Sequence, residues 1–138
     1  LGGAFGAILK ATSLADDVAA WVGDAPLPGT ALLCLGWAVA ALMKSAQGSS
    51  TGALVISSGI IAPLLPLAGF SSATDLALMT LAVGGGAMTE RHANDSYFWV
   101  VTRFSGIAVA DAYRSYTPLT AVMGVTVLGA VISLSWFL

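Results

Sequence analysis

Two short polar stretches, Gln47-Gly48-Ser49-Ser50-Thr51 and His92-Ala93-Asn94-Asp95-Ser96, interrupt an otherwise apolar chain about 45 residues apart. Hydrocarbon offers backbone amides and carbonyls no hydrogen bonds. A chain that leaves the helix at membrane depth survives only where protein or a wet cavity covers it. The composition makes that constraint relevant. Of 138 residues, 57% are hydrophobic and 9% charged, whereas a soluble domain carries about 25% charged residues, and the mean hydropathy is +0.89. So few charges cannot cover a surface in water, which makes lipid the solvent for much of it. The expected fold class is an all-α membrane protein, a multi-pass helical bundle with a re-entrant hairpin and a discontinuous transmembrane helix. Paired broken hydrophobic segments are also a sequence pointer to the binding site of a secondary transporter.

The apolar runs and their interruptions divide the chain. Residues 1–29 read as the end of a transmembrane helix followed by an acidic loop with Asp16, Asp17 and Asp24. Residues 30–72 read as a helical hairpin with its tip at 47–52. Pro63 and Pro66 in its second arm remove backbone donors and end or kink a helix. Residues 73–116 read as a helix broken at 90–96, followed by a loop. Gly84-Gly85-Gly86 lies before the break and permits close packing. Residues 117–138 carry no charge and are long enough to form a final span. The acidic hairpin mouth and the arginines Arg103 and Arg114 place the mouth outside and the 103–116 loop in the cytoplasm. Leu1 and the apolar end Trp136-Phe137-Leu138 suggest a piece of a larger membrane protein.

At a hairpin tip, the entering helix presents unpaired amides, which attract anions. Ser49, Ser50 and Thr51 add hydroxyls that cap a helix or bind a polyhydroxylated ligand, and Gln47 and Gly48 complete the tip. Lys44, one turn earlier, supplies a positive charge for an anionic substrate or snorkels to the interface. In the second stretch, His92 is the side chain whose ordinary pKa lies near neutrality. Asp95 and Glu90 titrate there too if desolvation raises their pKa. These three are the candidate proton-coupling groups. Asn94 and Ser96 offer hydrogen bonds to a substrate or cap the helix beginning at Tyr97. Both stretches also read as ordinary loops outside the membrane, with Ser50, Thr51, Asn94 or Asp95 as N-caps.

Other chemistries fit poorly. No phosphate-cradling Gly-x-x-x-x-Gly-Lys-Ser/Thr loop is present. One histidine and one cysteine do not make a zinc site of usual spacing, and Cys34 sits in an apolar run as a packing residue. No basic patch points to nucleic acid. The expectation is a protein that is not an enzyme and uses no cofactor or metal.

Three motifs carry a family likeness: Gly2-Gly3-Ala4-Phe5-Gly6-Ala7-Ile8-Leu9-Lys10, Ala46-Gln47-Gly48-Ser49-Ser50-Thr51 and His92-Ala93-Asn94-Asp95-Ser96-Tyr97-Phe98-Trp99. In this order they resemble segments of the gluconate:proton symporter family of bacterial permeases. Ser50 stands where that family has alanine, Ala93 where it has valine and Tyr97 where it has glycine. Glu90 and Arg91 stand where smaller or less charged residues are expected. The resemblance implies the C-terminal third of a multi-pass permease of the bacterial inner membrane, built from inverted repeats, the earlier repeat lying upstream. By that likeness 30–68 is the second hairpin, 73–110 the second broken helix and 117–138 the final span. The implied function is proton-coupled symport of gluconate or a related sugar acid. Gln47, Gly48, Ser49, Ser50, Thr51, Asn94, Ser96 and Lys44 bind the substrate, and His92, Asp95 or Glu90 carries the proton. The implied partners are the sugar acid, protons, the lipid bilayer and the upstream repeat, with a homodimer left open. The rival readings are a non-transporting helical membrane subunit and a carrier for another small organic anion, D-serine or a dicarboxylate.

Overall fold

Local chemistry sets most of the helix ends. In a computed structural model, which describes Ala20 and residues 28–138, helix α1 (Gly29–Gln47) stops where Gly48 adopts a φ of 69°. That left-handed backbone costs an L side chain roughly 1–2 kcal/mol. Helix α2 (Ser50–Ile61) starts immediately afterwards, with the Ser49 hydroxyl accepting the Gly52 amide at 3.1 Å. Pro63 and Pro66 supply no amides, and α2 gives way to two 3-10 turns, Ala62–Leu64 and Pro66–Ala68. Helix α3 (Ala73–Met88) begins at a capping box: Ser72 Oγ accepts the Asp75 amide at 3.0 Å, and Asp75 accepts the Ser72 amide at 2.9 Å. Helices α4 (Ser96–Ser105) and α5 (Val109–Ser135) complete the chain. All regular structure among the described residues is helical. The span end expected over 1–15 and most of the loop over 16–29 lie outside those residues.

Three boundaries differ from expectation. The tip is shorter than 47–52, because α2 is already under way at Ser50 and only Gly48 and Ser49 leave the helix. The break runs over 89–95 rather than 90–96, since Asp95 serves as N-cap and Ser96 is the first helical residue. The final helix starts at Val109, not 117. Its polar beginning is helical because polarity alone does not break a helix. Ala112, Thr120, Gly124 and Val131 are buried along one stripe, so the amphipathic period passes through Pro118.

Helix α3 is the centre of the bundle, packing against α1, α2 and α5. Small residues set its spacing. A side chain at Gly86 would collide with the Trp37 carbonyl of α1, and one at Gly85 would press on Val127 of α5. The Trp37 indole donates to the Gly124 carbonyl at 2.9 Å, tying α1 to α5. Around these contacts lie Leu32, Leu33, Leu78, Met79, Ala82, Val83 and Val131. Two of the described helices, α1 with 19 residues and α5 with 27, are long and apolar enough to cross a membrane. The outward residues Leu42, Leu119, Val122 and Phe104 are apolar and exposed.

The glycine contacts give a contrast that separates packing from helix propensity. Gly86→Ala should destabilise the purified protein by about 1–3 kcal/mol through overpacking. Gly84→Ala, where an added Cβ meets nothing within 4 Å, should be neutral or stabilising by about 0.5–1 kcal/mol. Thermal unfolding in detergent measures both.

Candidate functional site

The end of α1, the tip and the break between α3 and α4 converge at one place. Lys44 lies in the last turn of α1, where its charge complements the helix dipole, and its Nζ also donates to the Gly48 carbonyl at 3.3 Å. It is completely buried. Its main partner comes from the break: Nζ stands 2.6 Å from Asp95 Oδ2. Arg91 approaches the same oxygen, with Nη1 at 3.0 Å. The other oxygen, Asp95 Oδ1, accepts the Tyr97 amide at 2.9 Å and caps α4. An unpaired lysine would be costly to bury, and this pairing offsets part of that cost.

Backbone contact reinforces the charge contact. Gly48 lies so close to Asn94 that a Cβ would collide with the Asn94 carbonyl, so glycine is required there for space as well as for its positive φ. The Asn94 side-chain amide donates to the Ser45 carbonyl, and the Ser45 hydroxyl donates to Glu90 at 2.9 Å. Glu90 itself has a φ of 49°, an uncommon backbone for a non-glycine residue.

Non-helical backbone must find partners, and here side chains of α4 and α5 provide several. The Arg91 amide donates to Thr120 Oγ1 at 3.0 Å, and the Arg91 carbonyl accepts Thr117 Oγ1 at 2.6 Å. The Ala93 amide donates to the Tyr113 hydroxyl at 3.1 Å, while its carbonyl accepts the Trp99 indole at 2.7 Å. Phe98, fully buried, packs against Tyr113 and Tyr116 with ring centroids 5.1 and 6.3 Å apart.

The residues singled out by sequence fall into two groups. Lys44, Gly48, Glu90, Asn94 and Asp95 meet at the junction. Gln47, Ser49, Thr51 and Ser96 are exposed around it, and Ser50 and His92 are half-buried. The positive charge expected to face a substrate at Lys44 is engaged by Asp95. Arg91, Thr117, Thr120 and Trp99 were not anticipated as parts of the site. For Arg91 the signals were its place beside His92 and its standing where a smaller or less charged residue is expected, and for the threonines it was a register on α5 that only packing reveals. Among the described residues, no group of three His, Cys, Asp or Glu side chains could hold a metal ion.

The family described as GntP family permease matches residues 1–137. The chain belongs to the GntP permease family. Similar proteins include a D-serine transporter of Escherichia coli (strain K12), 34% identical over 99% of this chain and 29% of the relative. A gluconate permease of Bacillus subtilis (strain 168) is 33% identical over 97% of this chain and 28% of the relative. A high-affinity gluconate transporter of Escherichia coli (strain K12) is 29% identical over 90% of this chain and 27% of the relative. The chain therefore spans less than a third of the length of these relatives. No solved structure matches it. Family membership and the apolar helices together make it a helical membrane protein.

The shared carboxylate yields an asymmetric prediction. Asp95→Asn keeps an N-capping side chain but leaves Lys44 and Arg91 facing each other without an anion. It should cost about 3–5 kcal/mol, as breaking a buried pair does. Lys44→Met leaves the Arg91–Asp95 pair balanced and should cost distinctly less. Unfolding midpoints of the two purified variants would show the order, and equal losses would contradict the shared-anion arrangement.

Proposed function

We propose that the chain is the C-terminal third of a secondary transporter of the bacterial inner membrane that moves gluconate or a related sugar acid together with a proton. The observation that carries this reading is the meeting of the Gly48–Ser49 tip with the Asn94–Asp95 break, in a chain of a permease family. Two helices, α2 and α4, begin at that junction, and helix beginnings favour anions. In this reading α1 and α2 form a re-entrant hairpin, and α3 and α4 are the halves of one discontinuous span. At 16 and 10 residues, these halves reach only about 24 and 15 Å each, so together they suit a bilayer that neither crosses alone.

Ser49, Ser50, Thr51 and Ser96 surround the junction with hydroxyls, and Gln47 and Asn94 add amides. These groups suit the hydroxyls of a sugar acid. His92 is the leading proton carrier. Asp95 is held between two cations, and Glu90 is engaged with Ser45, whereas the His92 side chain makes no hydrogen bond among the described residues. The rest of the chamber comes from the upstream repeat, and transport is by alternating access. The similarity to a D-serine transporter supports a second substrate class, a small hydroxylated amino acid.

Uptake of labelled gluconate by the full-length permease carrying this segment tests the proposal. Wild type should accumulate gluconate faster as the outside is acidified below pH 7. His92→Gln should flatten that pH dependence, and Asn94→Ala should lower kcat/KM at least tenfold. Unaltered, pH-dependent uptake by both variants would remove the junction from the mechanism.

A further inference from the structure

In the ion-paired group around Asp95 the charges do not cancel. Lys44 and Arg91 both contact Asp95 Oδ2, so this group of two cations and one carboxylate carries one surplus positive charge. Glu90 is the other acid of the break, and its exposed carboxylate accepts from Ser45 rather than from either cation. The surplus does not reside equally on the two cations. Lys44 is the closer partner and is wholly buried, whereas the Arg91 side chain is 14% exposed.

Arg91 is also built to receive a ligand. Its Nη1 is occupied by Asp95, but among the described residues Nη2 meets only the Met88 sulfur at 3.4 Å, and thioether sulfur is a weak acceptor. The guanidinium lies 4.7 Å from the centroid of the Tyr97 ring, which restrains its plane, and the Arg91 backbone is held on both sides by Thr117 and Thr120. Arg91 also borders an open apolar depression on the outward side of α5, lined further by Tyr116, Leu119, Thr120, Val122 and Met123. Among the described residues it is the only charged one of that lining. A guanidinium held in place on an apolar wall with donors unsaturated is suited to planar, two-point recognition of a carboxylate.

We infer that Arg91 is the residue that binds the substrate carboxylate, and that the site is matched to a single negative charge. The inference rests on the anion-carrier reading above and adds the charge class of the cargo. Lys44 is then a positioning residue: by holding Asp95 it keeps that carboxylate from neutralising Arg91 fully. An incoming monocarboxylate accepts from Nη2 and the adjoining edge of the guanidinium and brings the group of charges to neutrality. A second carboxylate on the substrate would enter a weakly solvating region with no cation left to meet it.

Binding to the purified full-length permease, measured by titration calorimetry, tests this with three probes: D-gluconate, the dicarboxylate D-glucarate and the neutral amide D-gluconamide. Wild type should bind D-gluconate at least 30-fold more tightly than D-glucarate or D-gluconamide. Arg91→Gln should weaken binding of the preferred acid at least 30-fold and abolish its advantage over the amide. Arg91→Lys keeps the charge but loses the planar fork. It should retain the preference for acid over amide with affinity reduced about tenfold, and it decides the matter if the glutamine variant does not fold. Gluconate binding within threefold of wild type in either variant, with unchanged discrimination, would overturn the role of Arg91 while leaving the sugar-acid carrier standing. Preference for D-glucarate in wild type would overturn the single-charge match. Failure of wild type to bind either acid would overturn the sugar-acid carrier reading and this inference together.

Discussion

Asp95 joins three parts of the molecule with two oxygen atoms. Oδ2 draws in Lys44 from α1 and Arg91 from the break, and Oδ1 caps the helix that follows. Each of these contacts would be modest on a wet surface. Around a completely buried lysine they become mutually dependent, because removing any one leaves a charge or a helix end with fewer partners. The close approach of Gly48 to Asn94 accompanies this arrangement, since Lys44 at the end of α1 and Asp95 lie one turn or less from those two residues. A wider region of the fold is organised by the same need. Thr117, Thr120, Tyr113 and Trp99 turn polar atoms towards the backbone of the break, which an apolar environment would leave unsatisfied.

The parts of this architecture governed by near neighbours could be read from the chain alone. Pro63 and Pro66 mark the end of α2, Ser49 and Gly48 mark the tip, and the polar residues 92–96 mark the break. Each acts within a few positions of itself. The start of α5 was misplaced because Asp111, Arg114 and Tyr116 look like a loop by polarity, while the buried stripe from Ala112 to Val131 shows a continuous helix. The pairing of Lys44 with Asp95 was not legible, as 51 residues separate them and nothing local to either names the other. Arg91 was overlooked for a related reason: its importance emerges only when the charges around one carboxylate are counted in space.

The family assignment covers nearly the whole chain, yet the chain covers under a third of its relatives. The junction has an inner side, where tip and break touch, and an outer side where Ser49, Thr51 and Ser96 are exposed. In the carrier proposed above, these polar groups form one wall of the binding chamber.

The turn at Glu90 carries a mechanical implication. A left-handed non-glycine residue stores energy on the order of 1–2 kcal/mol, and here Glu90 is held by a hydrogen bond from Ser45. Ser45 also anchors Asn94 through its carbonyl, so one residue near the end of α1 restrains the chain on either side of Arg91 and His92. Withdrawing that end of α1 would free both restraints at once and let the kink relax. The joint therefore resembles a loaded spring whose catch sits on the neighbouring helix, where sliding of one element is converted into unbending of the other.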